Sequence, residues 1–273
     1  MTLNRRRFLT ISAAFAALPA HANSWQGRAF GAEVSITIQG PRNLAEPALA
    51  QARQAIRDVE QLFSLYDPTS SLSRLNRAGT LALPDPRFIA LMQAADDAYT
   101  LTGGLFDPTV QPLWLALANG HDPAQALAAI GWDRVGFAPS RVTMGKDQAL
   151  TFNGIAQGFA TDIVTDILTR NGLTNTLVNI GEYRGTGGPW TIGLSDPTHG
   201  HLGTRTLSTG AVATSSPSVL SNGPQAHILH ANTRPKWSTV SVEAKTATLA
   251  DSLSTALVLA TRSEVETIAR AAG

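Results

Sequence analysis

Asp251 and Thr255 stand four residues apart in a stretch whose apolar spacing reads as a helix, so both side chains leave one face of it. A carboxylate and a hydroxyl are hard oxygen donors. Mg²⁺ takes few protein oxygens, keeps several waters and favours a phosphate partner. The same carboxylate also suits a first helical turn, where it meets the positive end of the dipole. A second stretch with chemical content is Phe152-Asn153-Gly154-Ile155-Ala156-Gln157-Gly158-Phe159-Ala160-Thr161-Asp162. Two glycines four apart enter an apolar-periodic run, continued by Ile163, Ile167 and Leu168 and closed by Gly172. A glycine turn that opens a helix offers unpaired N–H groups to an anion such as a phosphate. It equally allows two backbones to approach closely. A carbonyl from this turn, for instance that of Ala156, could complete an oxygen set with Asp251 and Thr255.

Other candidates are single residues with two readings each. His227 begins a short apolar stretch after Gly223-Pro224 and is either a base or a structural histidine; His230 has the same two readings. Asp107 sits in Phe106-Asp107-Pro108-Thr109, where it could cap a helix over 109–118 or meet a ligand. Residues 66–76 read as a hydroxyl-rich loop with one arginine, Arg74, able to bond a polar ligand or its own backbone. A P-loop, a GxGxxG fingerprint, an HExxH helix and a GxSxG elbow are all missing from the sequence.

These residues need elements to hold them. Residues 33–38 alternate strictly and predict a half-buried strand. Residues 44–65 carry a helical stripe in which Pro47 fits only the first turn. A second amphipathic helix covers 86–101, and a short one covers 123–130 before Gly131. Strands are expected at 176–180, 190–194, 211–216, 227–229 and 237–242. A helix over 248–260 follows, and a capping box at Ser263 and Glu266 opens the last one. Long helices cluster in the first half and at the end, with turn-linked strands between them. That order favours an α+β fold with mainly antiparallel sheet and flanking helices.

The chain has 273 residues, 43% of them hydrophobic and 15% charged, enough for one large core or two small ones. Asn4-Arg5-Arg6-Arg7-Phe8-Leu9 matches a twin-arginine export signal, followed by an apolar stretch over 8–20 and Ala20-His21-Ala22 as a cleavage site. Residues 1–22 are therefore read as a signal peptide, which predicts a periplasmic protein without stable membrane insertion. Removing Arg5, Arg6 and Arg7 leaves 18 basic and 20 acidic residues, which argues against a nucleic-acid surface. The chain has no cysteine, so neither a disulfide nor a lipid-anchored cysteine is available. No linker divides residues 23–273, which are read as one compact unit.

Taken in order, several stretches resemble the ApbE family, the FAD:protein FMN transferases. Ser70-Ser71-Leu72-Ser73-Arg74-Leu75-Asn76 looks like its hydroxyl-rich loop, and Thr102-Gly103-Gly104-Leu105-Phe106-Asp107-Pro108-Thr109-Val110 is similar to its TGGxFDPTV element. Residues 154–162 follow its GIAKGYAxD segment, and Val178-Asn179-Ile180-Gly181 its VNxGG strand end. Ala213-Thr214-Ser215, His227-Ile228 and residues 250–256 complete the series. The resemblance implies a T-fold-like α+β domain over 23–273. It implies Mg²⁺ held by Asp251, Thr255 and the Ala156 carbonyl, and FAD as the substrate. Asp107, Gly154, Gln157, Asp162, Thr214 and Ser215 would bind FAD, Asp251 would also be catalytic, and His227 would serve the acceptor hydroxyl. The implied reaction moves FMN onto a Thr or Ser of a target flavoprotein and releases AMP. The implied acceptor is a membrane redox complex subunit or a flavoprotein of nitrous-oxide respiration. An FAD pyrophosphatase giving FMN and AMP, or a non-catalytic FAD-binding paralogue, are the alternatives. The sequence departs from the family at Phe30-Gly31-Ala32, at Gln157 in place of lysine, at Gly181-Glu182-Tyr183-Arg184, and at His230-Ala231 in place of Asp-Pro.

Overall fold

The computed structural model describes residues 23–218 and 226–273. The signal-like segment 1–22 and the Gly223-Pro224 pair lie outside the described residues. In chain order, β1 (Asn23–Ala29) and β2 (Ala32–Ile38) form a hairpin. Its turn residues Phe30 and Gly31 have φ of 51° and 75°, the positive pair that matches strand twist in a two-residue hairpin. β1 was not legible from periodicity, because Asn23-Ser24-Trp25-Gln26-Gly27-Arg28 is mostly polar.

α1 (Arg42–Phe63) starts earlier than expected, which puts Pro47 beyond the first turn. The helix continues because Ala45, Ala48, Ala52, Ile56 and Val59 form a continuous buried stripe. The hydroxyl-rich stretch is not a loop but largely α2 (Ser71–Ala78). Ser70 caps it by accepting the Ser73 N–H at 3.0 Å, and Gly79, at φ 70°, closes it. The Ser70 and Ser73 hydroxyls both donate to the Ser64 carbonyl. These groups therefore hold their own backbone, the outcome short hydroxyl side chains favour near helix starts.

β3 (Thr80–Ala82) and α3 (Pro86–Leu101) follow, the latter with Asp85 as cap and Pro86 in its first turn. Asp107 opens a single 3-10 turn that leads into α4 (Gln111–Ala118), then α5 (Ala124–Ala129). β4 (Gly136–Ala138) and β5 (Arg141–Thr143) pair with β3 in the order β3-β5-β4. α6 (Ala156–Arg170) leads to β6 (Thr176–Asn179) and β7 (Tyr183–Thr186). β8 (Trp190–Asp196) and β9 (Gly200–Leu207) make a separate hairpin. β10 (Gly210–Ser215), β11 (Val240–Ala244), α7 (Ala247–Leu257) and α8 (Arg262–Ala272) end the chain. Residues 227–229, expected as a strand, pair with no other strand. The terminal capping box is Thr261 with Glu264, not Ser263 with Glu266, because the helix begins one residue after Thr261.

The strands confirm the α+β reading with antiparallel pairing. The main sheet runs β1-β2-β6-β7-β10-β11, and every strand pairing among the described residues is antiparallel. Residues group into two compact units, and neither is a continuous segment.

The first unit comprises 23–58, 157–216 and 239–254 and contains the six-stranded sheet. Alternation along β10 sends Val212 toward Leu177, Trp190, Ile192 and Leu207, while Ala211 and Ala213 meet Ala247 and Ala250 of α7. Four alanines at that contact allow α7 to lie close to the sheet. The second unit comprises 59–156, 217–218, 226–238 and 255–273 among the described residues. Its core holds Phe63, Phe88 and Phe152, with ring centroids 5.1 to 6.1 Å apart. Burying Phe88 and Phe152, both at or below 1% exposed, stabilises the unit by roughly 3 kcal/mol each.

Candidate functional site

In the first unit, two carboxylates of α6 and α7 have different tasks. Asp162 caps α7: its Oδ1 accepts the Ala247 N–H at 2.8 Å, and its Oδ2 accepts the Thr248 N–H at 2.9 Å and the Thr248 hydroxyl at 2.5 Å. Arg184 from β7 adds an ion pair at 2.8 Å. Both Asp162 oxygens thus have protein partners. Asp251 lies one turn further along α7, at 3% exposed. Its Oδ2 accepts the Gly158 N–H at 2.9 Å. Burial pushes the Asp251 carboxyl up to about 7, against the Gly158 hydrogen bond, and the charge of Asp162 adds to the rise.

Gly158 is what permits that bond. A Cβ built on it would fall inside contact of the Ala247 carbonyl and 2.8 Å from the Asp251 Cβ. The requirement at this position is close helix approach, not backbone conformation. On the neighbouring turn, Gly181 takes φ 92° and the Gln157 side chain packs against it. The chain then delivers Glu182 into the interior, at 7% exposed. Its Oε2 accepts the Thr214 N–H at 3.2 Å. Burial, then the Asp251 charge, hold its carboxyl well above the ordinary range. Glu182 is the residue that sequence reasoning missed. The available signal was an acid directly after a glycine at a buried strand end.

Thr214 and Ser215 sit on β10 as expected. The Thr214 hydroxyl bonds that of Ser241 at 2.9 Å, and the Ser215 hydroxyl bonds that of Ser254 at 2.8 Å. Ser254 in turn donates to the Asp251 carbonyl at 3.0 Å. This chain ties β10 to the turn of α7 that carries Asp251.

The second unit holds the remaining candidates. A Cβ on Gly154 would lie 2.7 Å from the Thr255 Oγ1, so glycine is again required by close approach. Ala156 is buried, and its N–H donates to the Phe152 carbonyl at 2.8 Å. Asp107 accepts the Thr109 N–H at 2.8 Å and the Thr109 hydroxyl at 2.6 Å, the capping role. Burial raises its carboxyl in spite of those bonds. His227 donates its backbone N–H to the Pro217 carbonyl at 3.1 Å, while its Nδ1 is buried with no hydrogen-bond partner among the described residues. Burial lowers its pKa, opposed by the Pro217 carbonyl. A neutral imidazole with a free ring nitrogen is able to take up a proton.

Whether these residues fit a divalent ion is decided by the chemistry of the donor set. Among the described residues no cluster of three or more His, Cys, Asp or Glu is present, so a zinc-type cage is not offered. Asp251 is a buried carboxylate that no ion pair among the described residues compensates. Such a group is costly unless a cation joins it. One carboxylate with a hydroxyl one turn away, on the same helix, suits an ion that keeps most of its waters.

The model of the ApbE family matches residues 30–273. The FAD:protein FMN transferase of Chlamydia trachomatis serovar D is 29% identical over 140 residues, which is 44% of this chain and 44% of that protein. The match therefore spans less than half the length of that curated relative. The flavin transferase ApbE from Vibrio cholerae has the same fold, with a TM-score of 0.80, 22% identity, and 92% of this chain and 91% of that chain covered. The ApbE protein of Thermotoga maritima aligns with a TM-score of 0.75 and 27% identity, covering 87% and 86% of the two chains.

Proposed function

Because the chain belongs to the ApbE family, we propose that it is an enzyme that moves FMN from FAD onto a Thr or Ser hydroxyl of a target flavoprotein. The observation that carries the reading is the buried Asp251, held by the Gly158 N–H and without a cationic partner among the described residues, with Thr255 one turn further along α7. Asp251, Thr255 and the Ala156 carbonyl are the proposed holders of Mg²⁺. When bound, the ion would neutralise and orient the pyrophosphate of FAD. The rest falls to the chain's own groups. The acceptor oxygen bonds to the FMN phosphorus, the P–O bond to AMP breaks, and AMP leaves carrying that oxygen. His227 takes the hydroxyl proton; its burial keeps the ring neutral and ready for that role.

Among the proposed FAD contacts, Gly154 and Gln157 flank the start of α6, and Asp107 lies in the capped turn before α4. Asp162 acts by holding α7 in place, Ser215 by tying β10 to it through Ser254, and Thr214 by joining β10 to Ser241 of β11. The twin-arginine pattern at the start of the sequence supports export to the periplasm, and an exported flavoprotein as acceptor. The carrier could belong to a membrane redox complex or to nitrous-oxide respiration. No described helix is long and apolar enough to cross a membrane.

The test is to incubate the protein with FAD, Mg²⁺ and acceptor peptides containing a threonine, then weigh peptide and nucleotides by mass spectrometry. A peptide gaining one FMN, with stoichiometric AMP, is the expected result. Free FMN and AMP without adduct would instead identify a pyrophosphatase, and intact FAD would identify a binding protein.

A further inference from the structure

His227 needs a fixed orientation to accept a proton, and its Nδ1 has no hydrogen-bond partner among the described residues. A catalytic histidine is ordinarily oriented through its second nitrogen. Besides the Pro217 carbonyl, the orientation depends on the segment that carries the ring, and residues 226–232 have no regular secondary structure. Three residues on, His230 supplies two attachments. Its Nε2 lies 3.1 Å from the Gly104 carbonyl oxygen, and its Nδ1 lies 3.1 Å from the Asn232 backbone nitrogen. A carbonyl only accepts and an amide N–H only donates. The ring is thus the neutral tautomer with the proton on Nε2. A protonated ring would lose the Asn232 bond, and the Nδ1–H tautomer would lose both.

The anchor is itself rigid. The Gly104 N–H donates to the Tyr99 carbonyl at 2.9 Å, and Gly103 to that of Thr100 at 3.2 Å. The Thr102 hydroxyl donates to the Ala98 carbonyl at 2.7 Å and accepts the Phe106 N–H at 3.0 Å. Gly103 and Gly104 take φ of 60° and 85°, which aims the Gly104 carbonyl out of the helix end. Three residues later Asp107 begins the capped turn.

An aspartate oxygen can accept the N–H two residues on, in an Asx turn. It cannot donate to a carbonyl. Histidine keeps the turn and adds the donor.

We propose that His230 is a positioning residue: its Nε2–H latches the 226–232 segment to the Gly104 carbonyl and thereby fixes His227 for proton transfer. The catalytic consequence rests on the transferase reading above; the latch itself does not. His230 touches neither substrate nor reacting atoms in this account.

Two measurements test it. The first is the long-range ¹⁵N spectrum of the histidine rings at neutral pH, with His230 assigned by comparison with His230→Ala. A protonated Nε2 and a bare Nδ1 are expected; the opposite tautomer or a doubly protonated ring would overturn the latch. The second is FMN transfer with FAD, Mg²⁺ and an acceptor peptide. His230→Ala should lower kcat about tenfold, the loss of two modest hydrogen bonds behind a base, with KM for FAD within about twofold. His230→Gln, whose amide can donate to the Gly104 carbonyl, should recover most of kcat. His230→Asp should not, because it brings an acceptor to an acceptor. A wild-type kcat in His230→Ala, or equal losses in all three variants, would overturn the positioning role. A wild type that transfers no FMN would sink the transferase reading, and the tautomer would still decide the latch.

Discussion

Replacing Gly158 by alanine tests the central packing argument. Alanine normally favours a helix over glycine by about 1 kcal/mol. Here the added Cβ would sit 2.8 Å from the Asp251 Cβ and inside contact of the Ala247 carbonyl. Carbon pairs prefer about 3.5 Å or more, so α6 and α7 must part by roughly 0.7 Å. Overpacking of that kind costs about 1–3 kcal/mol. Separation also weakens the 2.9 Å bond from the Gly158 N–H to the buried Asp251, worth about 1.5–3 kcal/mol for a charged acceptor. After the propensity gain, a net loss of about 2–4 kcal/mol is expected. At roughly 2–4 °C per kcal/mol for a chain of this size, the melting temperature falls by about 5–15 °C. Urea titration of the protein measures it directly. Gly172→Ala is the control, because Gly172 has φ 78° and no neighbouring atoms, so only the left-handed penalty of about 1–2 kcal/mol applies. A Gly158→Ala protein as stable as wild type, or more so, would show that propensity governs and would refute the close-approach account.

Asp162→Ala removes the α7 cap and the Arg184 partner together, and should destabilise by about 2–4 kcal/mol in denaturant titration. In metal-free protein, Asp251 is held up at about 7 from an ordinary 3.8, and Glu182 is raised too. The folded chain keeps the Asp251 proton that the unfolded chain releases between about pH 4 and 7, so unfolding free energy should drop as pH rises through that window. Equal stability of the chelated protein at pH 5 and pH 8 would contradict this. Mg²⁺ should raise the melting temperature more at pH 8 than at pH 5, since ion and proton compete for the carboxylate. Asp251→Asn should abolish most of that Mg²⁺ response, and calorimetry of ion binding checks it.

The sequence made long, periodic elements legible and short, polar ones illegible. The α3 helix was bounded by its own chemistry, with Asp85-Pro86 at the start and a glycine pair at the end. β1 was hidden because its polar residues reveal a strand only through pairing with β2. β3, β4 and β5 span three residues each, too few to show a period. The stretch over 66–76 admitted both a polar ligand and its own backbone as partners, because serines signal a helix cap and a polar site with the same letters. Asp107, Asp162 and Asp251 were equally legible as acids near helix starts. Only the fold separates them: the first two cap their own or a neighbouring turn, and the third is buried against a single N–H. Glu182 stayed hidden because its burial depends on the Gly181 turn and on Thr214, 32 residues away.

The glycine-rich entry to α6 admitted two readings, an anion site and a close backbone approach, and the geometry merges them. Three of its amides are already engaged: Ile155 and Ala156 donate to the Phe152 carbonyl, and Gly158 donates to Asp251. The anion at this helix start is the protein's own carboxylate. It reaches the Gly158 N–H because that residue has no side chain to keep α7 away. Once Oδ2 is held there, Oδ1 is the oxygen left for an external cation, and Asp162 fixes the start of the helix that presents it. Glycine identity and carboxylate burial are thus one arrangement. A larger residue at 158 should reduce Mg²⁺ affinity even though it touches no ion.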